Sequence, residues 1–578
     1  MESPEWLHFA VFVVFAFVQV QLMLTIPDYM KEITNVMQSN VGDIGAIAPS
    51  AAMMALCTLG SVVSAVIASY CVAYVSSVII MRMRNDLFGK LMSFNLPEMT
   101  RFSASSLITR CTNDVEMIRS FIAIGPQAII QCPLMVSLAV SKMSGNPEWT
   151  GAILIAVAVL TVATVTLLLL SLSKTARAQK LVDAVNRLTK EHVTGIRVVH
   201  AYNGYGYQKR QFDATNDDLM KTTISSNRYT GAIMPFFTLC VNGLTLAIYV
   251  IGSFMILNAG EVAQKQELFS QMVVFVTYAL NAFNAFAAII LLFAALPRVV
   301  VSLRRINEVL NCEPSIHEGM AMTGANGKLG SLEFRNVSFA YPGAAEPMLK
   351  NVSFSVERGQ TLAIVGATGS GKTTLLNLIM RFYDVSEGAV FVDGRDVRDY
   401  NLWALRDKMG YVPQKSFLFA GTIGSNIDYG DQGELSRTLA DIKHAAEVGQ
   451  SKEFIEQKNG GYEARVEEGG SNFSGGQRQR LTISRAVCRD PEFYLFDDSF
   501  SALDFKTDSV LRKKLRENAR EATQIIVGQR IGSIMNADNI LVIDKGVIVG
   551  QGTHKELLES CQVYQEIALS QLNSEELS

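Results

Sequence analysis

Charge is scarce in this chain. Asp, Glu, Lys and Arg make up 18% of its 578 residues, while 49% are hydrophobic. A soluble protein carries nearer a quarter charged residues, so part of this one belongs in lipid. A basic excess is lacking too: the net charge is −3, and no basic cluster with interleaved aromatics occurs. That excludes nucleic acid as a main partner. The eight cysteines (Cys57, Cys71, Cys111, Cys132, Cys240, Cys312, Cys488, Cys561) are scattered, without a CxxC pair or zinc-type spacing. They read as small apolar fillers, not as a disulfide or metal framework. Internal repeats and low-complexity tracts are missing. The first apolar run lacks basic residues and a small-residue cleavage site before Pro27, so it reads as a retained span and not a signal peptide.

Six stretches contain no charged residue: Trp6–Pro27, Ile44–Met81, Ser120–Ser141, Thr150–Ser173, Tyr229–Gly260 and Leu268–Pro297. Each meets the roughly 20 residues needed to cross a ~30 Å hydrocarbon core as a helix. Ile44–Met81 exceeds that need and should project into water at ~1.5 Å per residue. The connections Arg82–Arg119 and Lys174–Arg228 hold six and ten Lys and Arg, whereas Lys31, Lys142 and Lys265 stand one per short loop on the other side. The basic connections, and both termini, are therefore assigned to the cytoplasm. Mixed apolar and charged spacing in Asn85–Phe94 and Ala178–Val199 predicts helices continuing as paired rods, with reversals near Ser105–Asp114 and Tyr202–Tyr207. The expected domains are 1–312 (six spans, leaving by the basic helix Arg298–Leu310), a polar linker 313–330, and 331–578. In the last, β-rich runs at Leu332–Phe339, Thr361–Val365, Ala389–Val392, Phe493–Phe496, Gln524–Val527 and Asn539–Ile543 alternate with helices. The fold class expected is a membrane α-helical bundle with long cytoplasmic extensions, joined to an α/β domain, which a phosphate-loop motif at Gly366–Thr373 makes a P-loop ATPase domain.

The chemistry lies in that last domain. The apolar strand TLAIV feeds Gly366-Ala367-Thr368-Gly369-Ser370-Gly371-Lys372-Thr373 and then a helix, Thr374–Phe382. Strand, glycine-rich turn and helix N-terminus form a phosphate cradle, with Lys372 meeting β/γ-phosphate charge and Thr373 ligating Mg²⁺. Phe493–Asp497 is an apolar strand ending in an acid, and Asp497 is the natural Mg²⁺ partner. Tyr341, in FAYPG, could stack on adenine or could be an ordinary strand-end tyrosine.

These pieces together resemble an exporter-type ABC half-transporter. The match runs through Tyr341, Gly366–Thr373, Gln414 in YVPQ, Ser474-Gly475-Gly476-Gln477, Asp497, Ser501–Asp504 and Gly552-Thr553-His554. The six spans and the segments Thr109–Val115 and Glu191–Val199 extend it over nearly the full chain. The resemblance implies ATP and Mg²⁺ as cofactors, held by Tyr341, Gly366–Thr374 and Asp504. It adds Gln414 to Thr373 and Asp497 at the metal, and Ser474–Gln477 closing on the ATP of a second half-transporter. It also makes the two reversals coupling helices and places the protein in the cell membrane with a cytoplasmic nucleotide domain.

Two departures stand out. The family places a glutamate after Asp497, where this chain has Asp498, and a histidine before Arg530, where it has Gln529. Aspartate withdraws its carboxylate by ~1.5 Å. A general base must lie within about 3 Å of its water, and misplacement on that scale can cost ~10²-fold in rate. The six histidines (His8, His192, His200, His317, His444, His554) all lie elsewhere. The expectation is a degenerate ATP site paired with a sound signature (apart from Phe473, where leucine is usual), hence a heterodimer. The alternatives are a slow homodimer or a regulatory subunit whose ATP gates a partner. Polar residues within the spans (Gln19, Gln21, Gln127, Gln131, Asn242, Asn281, Asn284) either line a pathway or join helices. No acid or base lies deep in the spans. That favours a hydrophobic or amphipathic cargo such as a drug-like compound, lipid or peptide.

Overall fold

The computed structural model describes residues 3–39, 44–143, 147–325, 329–430, 437–519 and 521–571. The chain divides into two compact units, residues 1–92 with 104–312, and residues 93–103 with 313–578. Part of the expected linker, residues 326–328, lies outside the described residues.

Among the described residues, the first unit consists of helices and the short turns that join them. Its elements are α1 (Ser3–Ser39) and α2 (Ile44–Met92), then, after a short helix α3 (Leu96–Phe102) that belongs to the second unit, α4 (Ala104–Thr109). A π-turn, Arg110–Asp114, runs α4 into α5 (Val115–Met143). There follow α6 (Pro147–Thr194), α7 (Ile196–Ala201), α8 (Tyr205–Asn258) and α9 (Val262–Leu310). Six of these helices are long and apolar enough to cross a membrane. They form the membrane domain.

α1 packs on α2, α6 on α8 and α5 on α9. Trp149, Phe275, Tyr278 and Phe283 fill the interior, while Phe293 is exposed. Polar groups meet one another between the helices, as groups facing hydrocarbon must. Gln131 Nε2 donates to Gln19 Oε1 at 2.7 Å, so at this pair the helix-joining role holds. Tyr278 donates to Asp28 (2.5 Å), which also pairs with Lys142. At the π-turn, Asp114 accepts from Ser302 (3.0 Å) and pairs with Arg305, and Arg110 pairs with Glu308 (3.3 Å).

One expected reversal is displaced. Ser105–Asp114 is helical and runs on into α5, so it makes no turn. The chain reverses instead around Ser93–Ser103. Pro97 sits in the first turn of α3, Glu98 accepts from the Asn95 N–H (2.9 Å), and Ser103 ends the helix at φ 56°. The second reversal lies at Tyr202–Gly204, between α7 and α8.

The second unit contains, besides α3, a four-stranded antiparallel sheet in the order β2-β1-β4-β5: β1 (Leu332–Phe339), β2 (Leu349–Val356), β4 (Glu387–Val392) and β5 (Arg395–Asp396). Its six-stranded sheet runs β12-β11-β3-β10-β9-β6. The strands are β3 (Thr361–Val365), β6 (Met409–Val412), β9 (Phe493–Asp497), β10 (Thr523–Val527), β11 (Asn539–Asp544) and β12 (Val547–Gly552). All are parallel except edge strand β12. A small ribbon pairs β7 (Gly421–Thr422) with β8 (Arg465–Val466). The helices are α10 (Lys372–Ile379), α11 (Leu402–Asp407), α12 (Ile423–Ile427), α13 (Leu439–Val448), α14 (Lys452–Glu456), α15 (Gly475–Cys488), α16 (Phe505–Asn518), α17 (Ile531–Ile534), α18 (His554–Ser560) and α19 (Gln562–Leu569). Leu362, Ala363, Ile364 and Val365 of β3 are all buried, as a parallel strand covered on both faces requires.

α3 is seated within this unit. Glu98 also accepts from the Ser315 N–H (2.9 Å), and Arg406 donates to Asn95 Oδ1 (3.1 Å). Burial raises the Glu98 pKa, but the bonds from Ser315 and Asn95 outweigh it and leave the carboxyl below its ordinary value.

Candidate functional site

Open parallel sheets bind ligands beyond the carboxyl ends of their strands. Here β3, β10, β9 and β6 are neighbours, and the turns that follow them converge. Together they wall a cleft of about 200 Å³. It is lined by Tyr341, Thr368, Gly369, Gly371, Lys372, Thr373, Thr374, Gln414, Asp497, Asp498 and Gln529, all singled out in the sequence, and by Met348 and Val527, which were not.

The turn after β3 is shaped for close approach. A Cβ on Gly366 would lie 2.0 Å from the Ile543 carbonyl oxygen. Gly371 caps α10 at φ 105°, where a side chain would also lie 2.7 Å from Leu349. The α10 N-terminus therefore opens into the cleft with its backbone N–H groups and its partial positive charge. Lys372 Nζ donates to the carbonyls of Gly366 (2.9 Å) and Ala367 (2.8 Å). Burial lowers its pKa, and Asp498 and Asp497 pull it back up. Ser370 is buried behind the loop.

Thr373 Oγ1 donates to Asp497 Oδ1 (3.0 Å). Asp497 is buried, and that burial raises its pKa, with Asp498 adding to the effect. A hydroxyl, a buried carboxylate needing a counter-charge and the Gln414 amide form an all-oxygen donor set. That set fits Mg²⁺, a hard cation that prefers oxygen. Among the described residues, no cluster of three His, Cys, Asp or Glu offers a rival metal site.

Asp498 sits in the left-handed region (φ 47°), its N–H donating to the Val527 carbonyl (2.9 Å). Burial raises its pKa, and hydrogen bonding from Gln414 opposes this. Gln529 is exposed at the end of β10. The Tyr341 hydroxyl shares a hydrogen bond with Thr374 (2.9 Å), and its ring meets Phe339 and Tyr383 edge-on.

Ser474–Gln477 and Asp504 do not join the cleft. Ser474 caps α15, its Oγ accepting from Gln477 N–H, and Gln477 Oε1 accepts in return from Ser474 N–H. Gly475 is exposed, and nothing lies within 4 Å of a Cβ placed on it. Asp504 caps α16 by accepting from Thr507 N–H (3.0 Å). Neither capped helix start lines the cleft that holds this chain's own phosphate loop.

The ABC transporter transmembrane region model matches residues 9–290, and the ABC transporter model matches residues 349–501. The chain is 36% identical over 85% of its length to an uncharacterised ABC transporter ATP-binding protein of Mycobacterium tuberculosis, covering 83% of it. This chain belongs to the ABC transporter family. It is 30% identical over 87% of its length to the ATP-dependent lipid A-core flippase of Photobacterium profundum, covering 85% of that protein. A bacterial Atm1-family ABC exporter with ATP bound shares its fold, with a TM-score of 0.83, 22% identity, and coverage of 99% of this chain and 100% of that one. The chain is thus an ABC exporter half-transporter, a multi-pass membrane subunit with membrane domain and ATPase domain in one polypeptide. An ABC ATPase domain implies ATP, and a half-transporter implies a second half.

Proposed function

We propose that this exporter subunit contributes a degenerate ATP site and a working signature to a heterodimer. One observation carries the reading. A complete phosphate loop and Asp497 share their cleft with Asp498 and Gln529, which stand where the family has glutamate and histidine. Lys372 and the α10 N-terminus hold the triphosphate, Tyr341 faces the base, and Thr373, Asp497 and Gln414 hold Mg²⁺. That ion, when bound, screens phosphate charge. Asp498 lacks the reach to orient a water, and Gln529 brings no positive charge to the γ-phosphate. Ser474–Gln477, whose Ser474 and Gly475 are exposed at the α15 N-terminus, close on the partner's ATP, and hydrolysis there resets the pair. The cargo is hydrophobic or amphipathic. The resemblance to lipid A-core flippases and the lack of charge within the six spans support this.

The test is ATP turnover by the purified chain, alone and with a co-expressed half-transporter carrying glutamate and histidine at the two positions. Weak turnover alone and brisk turnover in the pair is expected. Turnover by the chain alone equal to that of the pair defeats the asymmetric reading.

A further inference from the structure

The loop Gly528–Arg530, between β10 and α17, carries Gln529. Gly528 N–H donates to the Ile364 carbonyl of β3 (3.1 Å), and the Arg530 guanidinium donates to the Ser501 carbonyl (3.0 Å). A third hold comes from the far end of the chain. Gln571 Nε2 donates to the Gln529 carbonyl (2.8 Å), and Gln571 Oε1 accepts from the Ile531 N–H (2.9 Å). A carbonyl can only accept and an N–H can only donate, so these partners fix which way the amide points. In a parallel ladder one residue bonds the carbonyl before and the N–H after its opposite number. The Gln571 side chain reproduces that pattern across residues 529 and 531.

Gln571 reaches the loop from a firm base. It follows α19, whose Tyr564 and Ala568 are fully buried. The Tyr564 hydroxyl lies 2.6 Å from His554 Nδ1, and Gln571 N–H itself donates to the Ala568 carbonyl (3.0 Å).

We infer that Gln571 is a positioning residue for the nucleotide site. It fixes the backbone from which Gln529 faces the γ-phosphate end of the cleft, so the tail sets how strongly the site tells triphosphate from diphosphate. The inference rests on the reading of Gln529 as the γ-phosphate position. Gln571 touches no nucleotide itself, and its effect passes through the loop.

Fluorescent ATP and ADP analogues titrated into the full chain in lipid nanodiscs provide the test. Gln571→Met keeps the bulk and removes both hydrogen bonds. Gln571→Glu keeps the acceptor and turns an oxygen toward the Gln529 carbonyl. In Gln571→Met the ATP-over-ADP preference should fall about five-fold, the scale of two lost hydrogen bonds partly replaced by water, and in Gln571→Glu by about as much, through one lost bond and the repulsion between two oxygens. ADP affinity should stay within about two-fold of the parent, since Lys372 and α10 are untouched. A preference unchanged in Gln571→Met but lowered in Gln529→Ala overturns the inference and leaves the site reading standing. A preference unchanged in Gln529→Ala overturns both. Equal losses of ATP and ADP affinity in Gln571→Met also overturn it, because they reduce the contact to one that merely holds the fold.

Discussion

Replacing Glu98 with alanine should loosen α3 without touching the nucleotide cleft. Glu98 is 5% exposed and accepts two backbone N–H groups, from Asn95 at 2.9 Å and Ser315 at 2.9 Å. A hydrogen bond to a charged group contributes about 1.5–3 kcal/mol. The Asn95 bond is a local cap, nearer 1 kcal/mol. The two together come to about 3 kcal/mol, and 1.4 kcal/mol is a factor of ten, so local opening should rise about 10²-fold. Hydrogen exchange of the Asn95–Phe102 and Ser315 amides reads this directly. Glu98→Gln keeps an acceptor and should show a rise of only about five-fold. The carboxyl's pKa is depressed on folding. Its contribution is therefore full above the ordinary glutamate value near 4.5 and fades as pH falls through the lower folded value. Protection factors in the parent should approach those of Glu98→Gln on acidification, while the variant stays flat. Unchanged protection in Glu98→Ala at neutral pH would refute the argument.

In the assembled pair, Lys372→Ala should weaken ATP binding to this chain about ten-fold or more yet leave most turnover, because the productive site uses the partner's phosphate loop. Turnover assays of the pair check this, and complete loss counts against it. Gly475→Asp should abolish turnover in the same assay, since a carboxylate at the bare α15 start meets the partner's γ-phosphate with like charge. Gly371→Ala should lose nucleotide binding through strain at φ 105° and contact with Leu349, measurable by equilibrium titration. Burial lowers the His554 pKa, and Lys555 adds to this. Folding thus favours the neutral ring, and the α18–α19 contact should be firm above pH ~6.5 and weaken below it. Exchange of α19 amides across pH 7.5 to 5.5 follows it, and His554→Phe should erase the step.

The cleft was legible because its parts are short contiguous signals, each at the end of an apolar strand. The spans were legible because lipid forbids charge over ~20 residues. The reversal at Ser93–Ser103 was missed although Asn95, Pro97 and Glu98 carry a helix-start signature there. The mixed apolar and charged spacing of Asn85–Phe94 just before it reads as a rod running on past this point. Strands β2, β6 and β12 escaped for a different reason. β6 has four residues, and β2 and β12 are edge strands that mix exposed positions with buried or half-buried ones, so none makes a strong apolar run. Gln571 offered no local signal at all, since its partners lie 40 and 42 positions away. Gln131 was noticed, but only packing could join it to Gln19.

The seating of α3 bears on how the ATPase half can be handled alone. An excised piece beginning after Cys312 would bare the bed that α3 fills. The Ser315 N–H would lose its carboxylate, and Arg406, whose pKa burial already lowers, would lose Asn95. Such a fragment should be stickier and less rigid there than the intact protein. Grafting residues 93–103 back through a flexible tether should restore it, which makes a peptide encoded between two membrane helices a working organ of the ATP-handling half.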